Sequence, residues 1–533
     1  MIAARTTGLT SGPSSSPPSG AVSGRTPRRT LVALGACALL LTACAAPPLA
    51  SPAPRPAPSG SAPATDGGAA AASRLRAYYG QTLAWRPCDR ADGFQCTTMR
   101  VPLDYAHPEA GDILVSATRK RSTGGARLGS LQLNPGGPGA SAMDYLWKAA
   151  TAYSSSVRGA YDLVAMDPRG VGHSTLVDCG TGRPVAFMQS PVPPTPDEAE
   201  IDAWDTMYRK TAGECERHVA GLLPYVGTPD AARDMDMLRS LLGDRRLHYA
   251  GFSYGTYLGA TYAELFPSRV GHVVLDGALD PSLGALDTTL HQARGYQVAW
   301  EAFAADCATR PDCPVGRSLP GAARTLDTLR AVLDRSPLRQ GKDDEVTGDD
   351  LTAAVVDGLR FPAWDRLRDA LRGVRTGDAH DLQEIIADGQ ETSKEGDQAQ
   401  LAVSCLSSTI GPRLSAVRAA AALPRFLSAS PQFGRAFADT LVMCTHWPVP
   451  SQQPARPVHA RGAAPILVIG TTRDPATPYP QSVALARQLD SGRLLTRVGD
   501  GHTGYHRGNV CVDSAVDRFL LHGTLPPAGT VCR

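Results

Sequence analysis

A serine between two glycines is the first residue of this sequence whose type and setting could support chemistry. Ser253 lies in the stretch GFSYGTYLG, between Gly251 and Gly255. A serine hydroxyl becomes a nucleophile when a base removes its proton and a carboxylate orients that base. In a glycine-rich chain such a pentapeptide also arises by chance, so the interpretation depends on finding both partners.

Two residues further along the chain are suited to be those partners. His502 lies in a glycine-flanked loop in RLLTRVGDGHTGY, and Asp474 lies in a proline-bounded turn in PILVIGTTRDPATPY. Each follows directly after an apolar, strand-like run. We predict that Ser253 is the nucleophile, His502 its general base and Asp474 the carboxylate that orients the base. Thr477 is in position to hydrogen-bond to Asp474 within the same turn.

Other histidines and aspartates compete for these roles. His506 and His522 are alternative bases, but each lies further from the end of the preceding strand. Asp500 is an alternative acid, although it immediately precedes the histidine loop and does not end a strand of its own. Asp276 ends the earlier run VVLD, where some hydrolases place their acid, and it stays open as a second choice.

The glycine-rich stretch NPGGPGASA, residues 134–142, is a candidate for stabilising negative charge. Acyl transfer creates an oxyanion, which backbone N–H groups in a tight turn can stabilise. Gly137 is the first choice for one donor and Gly136 the alternative, because Pro138 has no N–H group. The amide of Tyr254, directly after the serine, would be the second donor. Taken alone, the stretch also fits a plain tight turn.

Short apolar runs bounded by turn residues predict the strands that position these loops. Helix-length stretches lie between several runs, for example Ala231–Leu242 and Tyr254–Phe266. Alternating strands and helices pair in parallel, whereas the first two runs, joined by DYAHPEAGD, predict an antiparallel hairpin. The pattern predicts an α/β-hydrolase fold with an eight-stranded, mostly parallel sheet. The predicted strands are Thr97–Val101, Ile113–Arg119, Ser130–Leu133, Tyr161–Met166, Leu247–Ala250, Val270–Leu275, Ile466–Ile469 and Leu494–Val498.

One long interval interrupts this rhythm. Between Leu275 and Ile466 the helical patterns include Leu351–Leu359 and Trp364–Leu371, and strand patterns are few. A simple strand–helix–strand unit needs only about 30 residues. We therefore predict a mainly helical cap over residues 286–455, inserted between a first part of the core (76–285) and a C-terminal part (456–533).

Residues 1–44 have the layout of a secretory signal, in which arginines precede the apolar run Leu31–Leu41. This run is too short to span a bilayer. It is followed by LTAC, which resembles the lipobox of bacterial lipoproteins and predicts lipidation of Cys44; an ordinary cleaved signal is the alternative. Residues 45–75 are rich in Ala, Pro and Ser and predict a tether. We expect an exported protein, lipid-anchored on the outer face of the cell membrane or secreted.

The sequence contains twelve cysteines, and the ten that follow the signal are even in number. Exported proteins meet an oxidising compartment, so disulfides are expected. No CxxC pair accompanies these cysteines, and we predict neither a metal site nor a cofactor. A formal charge of only +2 argues against a nucleic-acid partner. Proximity along the chain pairs Cys88 with Cys96, Cys179 with Cys215, Cys307 with Cys313, Cys405 with Cys444, and Cys511 with Cys532.

Taken together, the segments LAWRPC, LNPGGPGASA, YDLVAMDPRGVGHS, GFSYGTYLG, VVLDG, GTTRDPATPY and GDGHTGY resemble those of the secreted tripeptidyl aminopeptidases of actinobacteria. These are α/β-hydrolases related to proline iminopeptidases, with a TAP-like C-terminal domain. The resemblance extends from about Trp85 to Cys532. It implies a serine exopeptidase that releases short peptides, typically tripeptides, from substrates with free N-termini, and an acidic group that binds the α-ammonium. Proline iminopeptidases have histidine where this chain has Pro135, which favours the tripeptidyl branch.

Two other functions stay open at this stage. An esterase or lipase would use the same three residues, since acyl transfer does not depend on one kind of leaving group. A lipoprotein that only binds peptides would keep the fold without the chemistry. The segment DPRGVGHS, residues 167–174, lacks a full dinucleotide fingerprint and is interpreted as a structural turn.

Overall fold

The structure is a computed structural model and describes residues 75–180, 199–339, 345–391 and 396–533. The predicted signal over residues 1–44, the lipidation site Cys44 and all but the last residue of the predicted tether lie outside the described residues. Within the described ranges, no helix is long and apolar enough to cross a membrane.

A single large sheet forms the centre of the molecule. Its ten strands follow the order β1-β2-β3-β5-β4-β6-β7-β10-β11-β12, and β8 pairs with β9 in a separate ribbon. The pairs from β1 through β3 to β5 are antiparallel, and all pairs from β5 to β12 are parallel. The strands are β1 (Arg86–Cys88), β2 (Ala91–Pro102), β3 (Asp112–Lys120), β4 (Gly129–Asn134), β5 (Tyr161–Met166), β6 (Leu247–Phe252), β7 (Val270–Asp276), β8 (Leu338–Arg339), β9 (Glu345–Val346), β10 (Ile466–Arg473), β11 (Gly492–Asp500) and β12 (Val531–Cys532).

All eight predicted strands lie within strands of this sheet, and the predicted hairpin is the antiparallel pair β2–β3. The prediction of eight strands was nevertheless two short, because β1 and β12 contain only 3 and 2 residues. Neither has the apolar run by which strands are recognised in a sequence. A disulfide links each of them to a neighbouring element, Cys88 to Cys96 and Cys532 to Cys511.

The structure joins the ten cysteines in the five pairs that proximity predicted. Helices cover both faces of the sheet, and alternate strand residues enter two different hydrophobic clusters. Val273 and Leu275 belong to the cluster that includes the helices between β7 and β10, whereas Val274 belongs to the opposite one. This alternation is the period of two expected for a strand buried on both faces.

Helices dominate the interval between β7 and β10, as the sequence predicts, and a second helical segment lies between β5 and β6. The exact limits of the cap stay a prediction. The α-helices after β1 are Ala142–Ala149, Ser155–Ala160, Ala199–Val219, Thr228–Leu241, Tyr254–Leu265, Ala285–Ala308, Leu319–Arg335, Gly348–Arg360, Trp364–Thr376, His380–Glu391, Asp397–Cys405, Ala416–Ala429, Gly434–Asp439, Tyr479–Gln488 and Val510–His522.

Parallel pairing brings the ends of the central strands to one edge. Because β4, β6, β7, β10 and β11 are parallel neighbours, their C-terminal ends meet at the same edge of the sheet. The loops that leave this edge carry the glycine-rich stretch 134–142, Ser253, Asp474 and His502. In open α/β sheets this edge is where ligands bind.

Candidate active site

Ser253 occupies a sharp turn between strand β6 and the helix Tyr254–Leu265. Its backbone φ is 55° and its ψ is −126°, which is unfavourable for a residue with a Cβ atom. Two contacts hold it there: its N–H donates to the carbonyl oxygen of Asp276 at 2.9 Å, and Thr256 Oγ1 donates to its carbonyl at 2.6 Å. A strained serine between a strand and a helix is the geometry of a nucleophile elbow.

The glycine-rich stretch packs directly against this turn. Gly136 has φ of 104°, and a Cβ atom there would lie 2.8 Å from Ser253 Cβ and 3.0 Å from the Tyr254 nitrogen. The Gly136 N–H donates to Asn134 Oδ1 at 3.0 Å, so that donor is already in use. Tyr254 is the first residue of its helix, where an N–H has no partner within the helix.

The segment DPRGVGHS is a structural turn that supports the glycine-rich stretch. The carboxylate of Asp167 accepts hydrogen bonds from Ser141 Oγ at 2.9 Å, from the Met143 N–H at 3.0 Å and from the His173 N–H at 2.9 Å. Burial raises the pKa of Asp167. Sequence reasoning missed this anchoring role, although an aspartate directly after a buried strand was a usable clue.

Asp474 and His502 form a buried pair at the ends of β10 and β11. His502 Nδ1 lies 3.0 Å from Asp474 Oδ1 and 2.9 Å from Oδ2, and both side chains are almost completely buried. The carboxylate also accepts from the N–H groups of Ala476, Thr477 and Thr503 at 3.0, 2.9 and 3.1 Å. Thr477 Oγ1 donates to Asp474 Oδ2 at 3.0 Å, which confirms the predicted hydrogen bond within the turn.

Ser253 and His502 approach the end of β7 from two sides. The Ser253 N–H binds the Asp276 carbonyl. A Cβ atom at the next residue, Gly277, would lie 3.2 Å from His502 Cε1. His502 Nε2 is buried and has no hydrogen-bond partner within the described part of the chain, so its bond to Ser253 Oγ is not made in this structure. Catalytic hydrogen bonds commonly tighten only when substrate is bound.

Neither competing aspartate forms a hydrogen bond with the imidazole within the described residues. Asp276 is fully buried, and its carboxylate accepts from the N–H groups of Gly504 at 2.9 Å and Tyr505 at 2.8 Å. Burial raises the pKa of Asp276 to about 7. Asp500 forms an ion pair with Arg473, whose Nη2 lies 2.6 Å from Asp500 Oδ2.

The competing histidines are also placed elsewhere. The His506 ring packs against the Tyr505 ring, with ring centroids 3.6 Å apart, and the His506 backbone N–H donates to Asp513 Oδ1 at 2.9 Å. Burial lowers the pKa of His506 to about 4. His522 is the last residue of the helix Val510–His522, far along the chain from the strand end.

A cavity of about 480 Å³ opens beside the imidazole. Its lining includes His502, Gly137 and Phe252, the residue before Ser253, while Ser253 itself is 8% exposed. Residues from the helical interval also line it, and no sequence pattern pointed to them. The charged residues that line it are Asp144, Lys148, Arg360 and Arg507, and the lining residues from the helical interval include Phe361 and Gln400.

Histidine, cysteine and acidic residues do not gather into a metal-binding group anywhere in the part of the chain that the structure describes. The chemistry available here is that of a hydroxyl, an imidazole and a carboxylate at one sheet edge, together with backbone N–H groups at a helix start. Such a set can transfer an acyl group to serine and then to water.

Comparison with known proteins agrees with this geometry. The profile of the family described as TAP-like protein matches residues 430–532, and that of the alpha/beta hydrolase fold matches residues 130–355. The chain is 31% identical over 483 residues to serine protease Hip1 of Mycobacterium tuberculosis, covering 85% of this chain and 91% of that protein. It is 37% identical over 456 residues to carboxylesterase B of the same species, covering 82% and 86%. It is 30% identical over 458 residues to tripeptidyl aminopeptidase of Streptomyces lividans, covering 82% and 83%.

Proposed function

The chain belongs to the TAP-like family of α/β-hydrolases, and we propose that it is an exported serine aminopeptidase that releases short peptides, foremost tripeptides, from free N-termini. One observation carries the catalytic part of this proposal. A buried His502–Asp474 pair and a serine in a strained elbow lie at the same edge of one sheet. The relatives named as a serine protease and a tripeptidyl aminopeptidase support a peptide as substrate.

In the proposed reaction the His502 imidazole accepts a proton and then donates it, first when the acyl-enzyme forms and again when it is hydrolysed. His502 Nε2 takes the proton of the Ser253 hydroxyl as Oγ attacks the carbonyl carbon of the scissile peptide bond. Asp474 fixes the imidazole with its proton on Nδ1 and stabilises the imidazolium that forms. The carbon–nitrogen bond then breaks, and the leaving amine accepts the proton from Nε2. Water attacks the acyl-enzyme with the same base and releases the acid product.

Negative charge on the former carbonyl oxygen needs two donors, and we assign the amides of Gly137 and Tyr254. The Gly136 N–H is bound to Asn134 Oδ1, which favours Gly137 among the two glycines. The Tyr254 N–H lies in the first turn of its helix, where it has no partner within the helix, and the helix dipole favours negative charge at this end. The close approach of Gly136, the residue before Gly137, to Ser253 and Tyr254 supports both assignments.

The substrate's α-ammonium requires a carboxylate within the cavity. Asp144 is the acidic side chain among its described lining residues, and its side chain is 47% exposed. Asp144 Oδ1 also lies 3.0 Å from His173 Nε2. We assign Asp144 to this role, so that Asp144→Asn raises KM for unblocked peptides more than it lowers kcat.

A fluorophosphonate probe tests the nucleophile. Wild-type enzyme is expected to be labelled, Ser253→Ala to lose labelling, and the control Ser428→Ala, at an exposed serine in the helical interval, to keep it. Labelling that survives in Ser253→Ala rules out the proposed nucleophile. No labelling of the wild type favours a protein that only binds peptides.

Peptides with free and acetylated N-termini test the substrate. An aminopeptidase loses its activity when the amine is blocked, and the product masses from one unblocked peptide should show successive losses of three residues. The relative named carboxylesterase B favours an esterase as the second candidate. Ester hydrolysis that is indifferent to acetylation, with no peptide cleavage, would support that candidate instead.

Export and lipid attachment are also proposals. The five disulfides of the described residues favour an oxidising compartment. If Cys44 is lipidated, the wild type partitions with membranes and detergent, while Cys44→Ala is released or stays unprocessed. A wild-type protein found only in the soluble extracellular fraction would contradict the anchor and favour plain secretion.

A further inference from the structure

Two arginines flank one aromatic ring beside the catalytic imidazole. The guanidinium carbons of Arg360 and Arg507 each lie 5.1 Å from the centroid of the Phe361 ring. The Phe361 ring centroid is 6.5 Å from that of His502. All four residues line the active-site cavity. We call Arg360, Phe361 and Arg507 the arginine subsite.

Neither arginine has a carboxylate within ion-pair distance among the described residues. Arg507 Nε donates to the neutral hydroxyl of Thr503 at 3.1 Å. Arg360 Nε is buried and has no hydrogen-bond partner in the described structure. Asp357 lies on the same helix as Arg360. Burial raises the pKa of Asp357 overall, and the positive charge of Arg360 opposes part of that rise. This interaction acts through space, without a direct ion pair.

Several other arginines in the described part of the chain are paired directly with a carboxylate. Arg473 binds Asp500, and Arg169 at the core of the structure binds Asp234 through two hydrogen bonds of 2.7 Å. Arg507 is exposed and Arg360 is half-buried, and neither guanidinium group forms a direct ion pair within the ranges that the structure describes. Both are therefore able to form a direct ion pair with an anionic ligand in the cavity.

The rest of the cavity does not supply a counter-charge for these arginines. Lys148 is a third cation among the described lining residues of the cavity. Asp144 is the one carboxylate among them. Asp144 is already engaged by His173 and is assigned above to the α-ammonium. An anionic group on the substrate would thus balance a local excess of positive charge.

We propose that the arginine subsite binds a carboxylate of the peptide substrate, so that the enzyme prefers peptides with an acidic group close to the scissile bond. This inference rests on the proposed peptidase function. The arginine subsite is held next to His502 by the backbone, because the His502 backbone N–H donates to the Arg360 carbonyl oxygen at 2.8 Å. Arginine forms charge-assisted, often bidentate hydrogen bonds with carboxylates, which are stronger than neutral ones.

Two sources could present this carboxylate: an acidic side chain, or the free C-terminus of a short substrate. Peptides that differ only by Glu or Gln at each position near the cleaved bond test the first source. Peptides ending in a free acid or an amide test the second. In one of the two series we expect the anionic member to have about a tenfold higher kcat/KM, in line with one charge-assisted hydrogen bond.

Variants locate the effect. Arg360→Gln and Arg507→Gln should each reduce the preference, and the double variant should remove it, while Arg507→Lys should keep part of it. The control Arg518→Gln makes the same charge change at an exposed position outside the cavity and should leave the preference unchanged. A preference absent from both wild-type series, or equal in the control and the double variant, overturns the proposal.

A labelling experiment separates this inference from the peptidase proposal. The wild type and the variants are treated with two fluorophosphonates, one ending in a carboxylate and the other in its methyl ester, and second-order labelling rates are compared. If the wild type cleaves no peptide but reacts about tenfold faster with the carboxylate probe, the proposed function fails and the subsite stands. If it cleaves peptides but neither substrates nor probes show a carboxylate preference, the subsite fails and the function stands.

Discussion

Replacing Asp474 or Asp276 by asparagine distinguishes two roles of a buried carboxylate. We expect Asp474 to orient the imidazole of His502 and Asp276 to support the loop that carries it. Both aspartates are buried at the same sheet edge, and both substitutions replace an ionisable carboxyl group by an amide at nearly constant volume. Asp474 reaches His502 Nδ1 at 2.9 Å. Asp276 instead accepts from the backbone of Gly504 and Tyr505.

The two variants should therefore differ greatly in activity. In Asp474→Asn the amide NH₂ can face Nδ1, which favours the tautomer protonated on Nε2 and removes the general base. The expected loss in kcat is about 10⁴, as for the equivalent change in other Ser-His-Asp enzymes, or about 5 kcal/mol of transition-state stabilisation. Asp276→Asn leaves the imidazole contacts intact but places an NH₂ group against backbone N–H donors. Its expected effect is about 1–3 kcal/mol of lost stability, with less than a tenfold change in turnover.

The assay measures kcat/KM on one unblocked peptide and the free energy of unfolding in denaturant for both variants and the wild type. The unfolding curve of each variant gives its folded fraction under the assay conditions, and each rate is corrected for that fraction. The assignment of Asp474 as the acid is wrong if the opposite pattern is measured. In that case folded Asp276→Asn would lose most of its activity, and Asp474→Asn would stay active.

Three further predictions concern pH, the glycine-rich turn and the disulfides. Because the pKa of Asp276 is about 7 when folded and about 3.9 when unfolded, the wild type should lose about 3 kcal/mol relative to Asp276→Asn as pH rises from about 4 to 7; a pH-independent difference contradicts this. Gly136→Ala should lower kcat about 100-fold, whereas Gly111→Ala, at φ of 123° in open space, should not. Replacing Cys405–Cys444 by serines should cost about 4 kcal/mol and Cys307–Cys313 about 2 kcal/mol, given sequence separations of 39 and 6; equal losses in thermal unfolding would contradict the loop-length argument.

Local patterns were sufficient for eight of the ten strands of the sheet and for the residues at its edge. An apolar run followed by a glycine or proline turn marks the end of a buried strand, and Asp474 and His502 each follow such a run. The elbow at Ser253 is likewise local, since it consists of a strand, one serine and a helix in immediate succession. Parallel pairing then brings these ends together without any further information.

Contacts between distant segments left no comparable trace in the sequence. The Arg360 carbonyl binds the His502 N–H, yet the chain between them contains several helices and two strands. A backbone acceptor can belong to any residue type, so the sequence around Arg360 carries no mark of the contact. Strand β12 was missed for a related reason, because its two residues depend on a partner strand and a disulfide and have no apolar run of their own.

The loop that carries the His502 imidazole is held by contacts with several distant parts of the structure. Five consecutive N–H groups, from His502 to His506, donate in turn to Arg360 O, Asp474, Asp276 twice and Asp513. Buried backbone donors must be paired, and here each partner comes from outside the loop. The sheet supplies two of the acceptors, the C-terminal helix one and the cap one. Gly501 extends the cap contact, because a Cβ atom there would lie 2.3 Å from Pro362 Cδ. A shift of the segment Arg360–Pro362 would therefore move the backbone of His502, the proposed base, because the two segments are in direct contact.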